Sequence, residues 1–191
     1  MTTIQIDVDG VLADFTRGFY DLAHYHFGVP KRCQREHTTG ELTGLTDDQR
    51  DVIWREIARS PRFWARLDGL VTYPEMRRLN DARHMYETYF VTTRRIGPEC
   101  HTQTVDWLQG QGVTTPRVIL AAKGGKGMIA KGLGANFALD DSVEHLEDIR
   151  CDSPGTIRCI RSWAYNHTLT DDVGRHVSSL TEFCDVVGIP R

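Results

Sequence analysis

Ile4-Gln5-Ile6-Asp7-Val8-Asp9-Gly10-Val11-Leu12-Ala13-Asp14 is the stretch of this 191-residue chain that decides its fold. In a strand alternate side chains share a face, so Ile4 and Ile6 pack on one side of a sheet while the chain carries Asp7 and Asp9 past the carboxyl edge. Open parallel sheets bind ligands in the crevice at that edge. Gly10 allows a backbone conformation that other residues adopt only at a cost, and Val11-Leu12-Ala13 reads as the start of a helix. The stretch is thus a strand, loop and helix junction built around acid.

Such a junction suits a hard cation and a phosphate. One carboxylate can attack phosphorus as a nucleophile, and a second, two residues on, can protonate the leaving oxygen and later activate water. Two anions facing a phosphate dianion repel it, and Mg²⁺ held by oxygen ligands removes that obstacle. Calcium loops and plain turns use the same letters. The apolar strand before the acids and the apolar residues after them favour catalysis.

The length supports one good core with a modest insertion. A net charge of -3 and a pI near 6.2, with Arg and acids scattered, provide no basic face, which disfavours a polymeric nucleic acid partner. No apolar run approaches the roughly 20 residues of a membrane span, and Met1-Thr2-Thr3 leads straight into a strand, so the expectation is a soluble, cytoplasmic protein with no membrane partner. Cys33, Cys100, Cys151, Cys159 and Cys184 are odd in number and lack a C-x-x-C pair, which points to reduced thiols.

Helical spacing of Phe15, Phe19, Leu22 and Ala23 predicts a helix from Val11 to Phe27, stopped by Gly28-Val29-Pro30. Lys31 to Gly44 reads as polar and irregular. Thr46-Asp47-Asp48 can cap a helix through Val52, Ile53, Ile57 and Ala58 to Ser60-Pro61. No strand is visible there, so residues 16–72 are expected to form a small helical cap inserted after the first strand. The core is then 1–15 and 73–191. Beyond it, helices from Pro74 to Met85, Glu99 to Gln109, Lys126 to Leu133 and Leu180 to Val187 alternate with strands from Tyr86 to Thr92, Arg117 to Ala122, Asn136 to Leu139 and Ile157 to Ile160. That alternation predicts an α/β, Rossmann-like three-layer fold around a parallel sheet.

In a parallel sheet the carboxyl ends of the strands open onto one crevice and are read together. The second strand ends Phe90-Val91-Thr92-Thr93-Arg94-Arg95, whose hydroxyl, N–H groups and guanidinium can hold phosphate oxygens. The third ends Ala121-Ala122-Lys123-Gly124-Gly125-Lys126-Gly127, with two ammonium groups beside a helix start. The fourth ends Leu139-Asp140-Asp141-Ser142, two more acids for an Mg²⁺ shell. Each segment alone also reads as a strand residue, a solvated loop or a helix cap; four in succession are hard to obtain from unrelated turns.

These four segments resemble the motifs of the haloacid dehalogenase-like phosphohydrolase superfamily. The resemblance implies Asp7 as nucleophile, Asp9 as general acid/base, Thr92 as the second-motif hydroxyl, Lys126 or Lys123 as the charge-balancing lysine, and Asp140 with Asp141 as metal-holding acids beside Asp7 and Asp9. The superfamily's dehalogenases lack the second acid and its ion-pumping ATPases carry a different residue there, which leaves a phosphatase or phosphomutase.

A closer likeness, over most of the chain, is to the 5′(3′)-deoxyribonucleotidases. It rests on Asp7 to Phe15, Pro61-Arg62-Phe63-Trp64 with Leu67, Val91-Thr92-Thr93, Val105-Asp106-Trp107-Leu108, Leu139-Asp140-Asp141 and Trp163-Ala164-Tyr165-Asn166-His167. It implies Phe15, Phe63 and Trp64 as a nucleoside pocket, although Phe15 and Phe63 read equally as cap core. Arg94-Arg95 departs from a usually less charged turn, and in the glycine-rich loop Lys123, Lys126 and Lys131 compete. Lys126 is favoured because it starts the helix before the fourth strand. The expected activity is Mg²⁺-dependent hydrolysis of a deoxynucleoside monophosphate, with Phe15, Phe63, Trp64, Thr93, Arg94 and Lys123 on the substrate. The alternatives are a phosphatase for another small phosphomonoester such as a phosphosugar, and a non-catalytic phosphate- or Mg²⁺-binding module. Base, sugar and phosphate position, and pairing into a homodimer, stay open.

Overall fold

A computed structural model describes residues 1–36, 44–94, 96–168 and 172–190. Arg95 and part of the irregular Lys31 to Gly44 stretch, residues 37–43, lie outside the described residues. Six strands form one parallel sheet: β1 (Thr2–Ile6), β2 (Tyr86–Thr92), β3 (Arg117–Leu120), β4 (Phe137–Asp140), β5 (Ile157–Arg161) and β6 (Arg175–Val177), in the order β3-β2-β1-β4-β5-β6. The chain winds outward from β1 to β3, then returns to lay β4 against the other side of β1. The switch point therefore falls between β1 and β4, where a crevice opens at the carboxyl edge.

The α-helices are α1 (Phe15–Phe27), α2 (Asp47–Arg59), α3 (Tyr73–Asp81), α4 (Cys100–Gly110), α5 (Lys126–Leu133), α6 (Val143–Asp152) and α7 (Leu180–Val187). Strand alternation assigns the faces. In β4, Leu139 joins the large apolar cluster with Ile4, Ile6, Phe183 and Cys159, while Ala138 joins a smaller one with Ala130, Leu146, Ile149 and Ile160 beneath α5 and α6. Helices thus cover both faces, giving the three layers.

Local chemistry moves several boundaries from their expected places. The first helix begins at Phe15, not Val11. Asp14 caps it by accepting the Arg17 N–H at 2.9 Å, and residues 11–13 fold into a tight turn in which Leu12 and Ala13 both donate to the Val8 carbonyl. The helix after Pro74 ends at Asp81, followed by a 3₁₀ turn, Ala82–His84. The third strand stops at Leu120, and the fourth includes Asp140. Helix α6 and strand β6 are additions to the sequence reading. Between β1 and α3 lie α1, α2 and two 3₁₀ turns, Gln34–Glu36 and Trp64–Arg66, with no strand among the described residues. Their apolar side chains, among them Phe19, Ile53 and Ile57, belong to the same cluster as Ile4 and Ile6, so the insertion shares the core of the sheet.

Gly127 shows how closely α5 approaches α6: a Cβ there would sit 2.1 Å from the Asp148 carbonyl oxygen, whereas Gly132 on the same helix has open space. Gly127→Ala is expected to cost about 1–3 kcal/mol by overpacking, lowering Tm by roughly 2–12 °C for a domain of this size. Gly132→Ala should hold or raise Tm, since alanine lowers the entropy of the unfolded chain. Equal melts for the two variants would contradict this packing.

Candidate active site at the sheet's switch point

Parity along the strands builds the site. Asp7 follows Ile6 and shares the face of Gln5, while Asp140 shares the face of Ala138. Both acids therefore project toward α5 from neighbouring strands, tied by the Asp7 N–H to the Leu139 carbonyl at 2.9 Å. Lys126 is the first residue of α5, and its ammonium sits between them, 2.8 Å from Asp7 Oδ1 and 2.6 Å from Asp140 Oδ2. It is 1% exposed. Burial works against its charge, but Asp140 and Asp7 outweigh this and hold its acid strength below that of a free lysine. Burial lifts the Asp7 carboxyl to about 6, with Lys126 opposing. Asp140 has a second set of partners, since Oδ1 accepts from the Ser142 N–H at 3.0 Å and lies 3.1 Å from His145 Nδ1. Burial raises the Asp140 carboxyl, but Lys126 and His145 outweigh it and hold the group near 2.

Asp141 turns the other way. It accepts from the Tyr165 hydroxyl, and Gln34 Nε2 stands 3.4 Å from the same oxygen. A Cβ on Gly10, whose φ is +75°, would lie 2.2 Å from Asp141 Oδ2, so only glycine permits this approach. Burial, with Asp140 and Asp7 nearby, raises the Asp141 carboxyl to about 8. Gln34 also donates its N–H to Asp14 and accepts from Thr16, so it ties the insertion to the site. Asn166 donates to the carbonyls of Asp141 and Arg161, and Trp163 Nε1 donates to Gly10, which fixes the loop after β5 over the acids.

Asp9 has a different partner. Arg94, 2% exposed, grips it at two points, with Nε 2.9 Å from Oδ2 and Nη2 2.8 Å from Oδ1. Thr92, at the end of β2, brings its hydroxyl to 3.5 Å from Asp9 Oδ2. Sequence reading expects Arg94 on phosphate oxygens, whereas in the structure its guanidinium lies on Asp9 and Thr104. Beside this pair lies a cavity of about 150 Å³ lined by Asp9, Phe15, Trp54, Trp64, Thr93, Arg94 and Ile96.

Phe15 stacks with Trp54 at 5.6 Å and with Trp64 at 5.7 Å between centroids. Trp64 is 3% exposed, takes Phe63 edge-on at 4.9 Å and donates its indole N–H to the Ile96 carbonyl. Phe63 packs against Gly18 of α1 and lies outside the cavity lining. Phe15, Trp54 and Phe63 are half-buried, and of these Phe15 and Trp54 line the cavity. Lys123 is 84% exposed at its side chain and pairs loosely with Glu144, and Lys131 is exposed.

Sequence reading missed Gln34, Trp54, Thr104 and His145. Only Trp54 carried a signal, an aromatic ring beside Ile53 on a helix otherwise rich in charge. Tyr165 was marked solely by the family-like segment around it.

Buried acids at a switch point, a lysine between them and a second acid two residues on define a phosphohydrolase of the haloacid dehalogenase-like class. A family model described as 5′ nucleotidase, deoxy (Pyrimidine), cytosolic type C protein matches residues 1–187, and the chain belongs to that family. It is accordingly a phosphoric monoester hydrolase. Its fold is similar to that of a haloacid dehalogenase-like family protein from Streptococcus pneumoniae, at 14% identity over 98% of each chain and a TM-score of 0.66. It is also similar to a hydrolase from Deinococcus radiodurans solved with bound phosphate and sodium, at 13% identity over 98% of this chain and 95% of that one, TM-score 0.64. A hydrolase from Pseudomonas syringae gives 18% identity over 98% of each chain and 0.60. No curated protein matches the chain significantly. Among the described residues no helix is long and apolar enough to cross a membrane.

Two outcomes follow from the buried charges. Lys126→Ala leaves two buried carboxylates facing each other and is expected to cost about 3–5 kcal/mol, while Lys123→Ala leaves the melt unchanged. The second concerns pH. Asp7 and Asp141 titrate above the unfolded value, so between about pH 4 and 8 the folded chain holds protons that the unfolded chain has released. Stability in EDTA therefore falls as pH rises through that range, by about 1 kcal/mol or more, and Asp141→Asn flattens the fall. Calorimetry across the range reads both, and stability that climbs from pH 4 to 8 contradicts the site's electrostatics.

Proposed function

We propose that this hydrolase cleaves the phosphate monoester of a deoxynucleoside monophosphate through an aspartyl-phosphate on Asp7, with Asp9 as general acid and base. The observation that carries the reading is the separation of two acids only two residues apart: Asp7 on the buried Lys126 ammonium, Asp9 on the aromatic cavity. An Asp7 oxygen attacks phosphorus, the bond from phosphorus to the sugar oxygen breaks with its electron pair on that oxygen, and Asp9 supplies the proton. Water then attacks the phosphorus, gives its proton to Asp9, and the acyl-phosphate bond breaks to return the Asp7 carboxylate. The sum is ester and water to alcohol and phosphate.

Lys126 has three N–H donors and uses two on Asp7 and Asp140, so the third is available to a phosphate oxygen, and the Thr92 hydroxyl, whose long bond runs to Asp9, would turn to the phosphate on binding. The role expected of Lys123 passes to Lys126, because an exposed ammonium is screened by solvent. Phe15 and Trp54 offer ring surface to a nucleoside, and Thr93 a hydroxyl at the rim. Trp64 and Phe63 serve as the wall behind them. The helical insertion, residues 16–72, acts as a cap that holds the leaving group and keeps bulk water out.

The donor set suits Mg²⁺. Asp7 and Asp141 are oxygen donors on adjoining strand ends, and burial beside the Asp140 and Asp7 carboxylates, which lifts the Asp141 carboxyl to about 8 against the pull of Lys126, is a setting that a divalent cation would relieve. Asp7, Asp140 and His145 bring ligand atoms within 4.8 Å of one another, but the Lys126 ammonium already bridges Asp7 and Asp140. We therefore assign Asp7 and Asp141 to the metal, Asp140 to holding Lys126, and the Asp9 carboxylate to Arg94. When bound, the ion neutralises phosphate charge and draws electron density from phosphorus.

Phosphate release is to be measured on a panel of pyrimidine and purine deoxynucleotides, ribonucleotides and sugar phosphates, with Mg²⁺ and with EDTA. The expected pattern is metal-dependent turnover that favours deoxynucleotides. A preference for sugar phosphates supports the other phosphomonoesterase reading. Asp7→Asn should abolish turnover, and Asp9→Asn should slow it by about 10² or more; near-native rates in either variant overturn the mechanism.

A further inference from the structure

Arg94 is a buried arginine at the carboxyl edge that gives two of its three guanidinium nitrogens to an acid of the site. Nε and Nη2 hold the two oxygens of Asp9 at 2.9 and 2.8 Å. Nη1 donates to the Thr104 hydroxyl at 3.2 Å, and that hydroxyl donates to the Cys100 carbonyl at 2.7 Å, inside α4. The guanidinium carbon lies 4.9 Å from the Trp64 ring and 6.0 Å from Trp107. Trp64 is fixed in turn by its N–H on Gln103 at 3.0 Å and its indole on Ile96, and Trp107 by its indole N–H on the Leu67 carbonyl at 2.7 Å. Arg94 is therefore held on three sides before it touches Asp9.

A two-point grip fixes more than position. A carboxylate with one partner turns about its Cβ–Cγ bond, whereas one held by a planar fork has its plane set by the fork. The lone pairs of Asp9 that the fork does not use then keep a constant direction, beside the cavity that Asp9, Phe15, Trp54 and Thr93 line. Proton transfer depends steeply on such alignment, since a misplacement of about 1 Å costs on the order of 10²-fold in rate.

We infer that Arg94 is a positioning residue that aims Asp9 at the leaving-group oxygen, and that the Thr104, Trp64 and Trp107 set behind it ties this aim to α4 and to the cap. The inference rests on the proposed mechanism and assigns Arg94 to the acid in place of the phosphate. A lysine does not substitute, because a point charge grips one oxygen at a time.

The test compares wild type, Arg94→Lys, Arg94→Met, Asp9→Asn and the double variant Asp9→Asn/Arg94→Met on one deoxynucleotide, with Tm recorded for each. Expected is a kcat about 10–100-fold below wild type for both Arg94 variants, with KM within about threefold. The double variant should be no slower than Asp9→Asn alone, because an Arg94 that acts through Asp9 has nothing left to aim. In a further variant, Arg94→Ala, added guanidinium ion should raise kcat with saturation, and should fail to do so when Asp9 is also Asn.

A raised KM with kcat preserved identifies a phosphate ligand and overturns the inference. Multiplicative losses in the double variant, or full activity in Arg94→Lys, overturn it as well. If Arg94→Met melts below the assay temperature, the Arg94→Lys rates and the double variant, which carries no buried unpaired charge, decide the matter. A wild-type enzyme that releases no phosphate from any panel member removes the proposed mechanism and this inference together, whereas an active wild type with additive variants removes the inference alone.

Discussion

A single ammonium group, that of Lys126, sits where two neighbouring strands each deliver a carboxylate, and the geometry of the site depends on it. Without it Asp7 and Asp140 would face each other in a buried space, which costs several kcal/mol. With it they are fixed to one point, 2.8 and 2.6 Å away. The sheet order makes this meeting possible, because β1 and β4 are adjacent although more than 130 residues of chain separate Thr3 from its partner Asn136. The close approach of α5 to α6 through Gly127 puts the first residue of α5 above the gap between those strands.

The other acids are separated from this group by having partners of their own. Asp9 belongs to Arg94, and Asp141 to Tyr165 and Gln34. Four acids at one edge would share protons if they shared an environment. Here one carboxyl is held near 2, and two are lifted, to about 6 and about 8, each for a nameable reason of burial and neighbouring charge. Such division suits the proposed roles of these three, in which Asp140 holds Lys126, Asp7 attacks and Asp141 meets a cation.

How much of this could be read from the letters depends on how local the cause is. Alternation along Ile4 to Asp9 and the polar ends of β2 and β4 are local, so the sheet and the acids at its edge were legible. The lysine was legible through helix phase, because Lys126 stands at a helix start while Lys123 stands among glycines. Helix α6 was missed because Leu146 and Ile149 are its only buried residues amid charge. Strand β6 was missed because Arg175 and His176 leave Val177 as its one buried side chain. The direction of Arg94 was not legible, since it is set by Thr104, Trp64 and Trp107, which only the tertiary fold brings together. The packing of Trp64 between Phe15, Phe63 and Arg94 was not legible either, for the same reason.

The central claim is that Asp7, held by Lys126, carries the phosphoryl group between substrate and water. The direct measurement is rapid acid quench of the enzyme during turnover, followed by peptide mass spectrometry of the amino-terminal segment. The account predicts a phosphoryl adduct on Asp7 that appears within the first turnover and, with a nitrophenyl phosphate whose leaving oxygen needs no proton, accumulates when Asp9 is Asn, because water then lacks its base. Turnover with no adduct on Asp7 at any time, or an adduct on another residue such as His145, would contradict it.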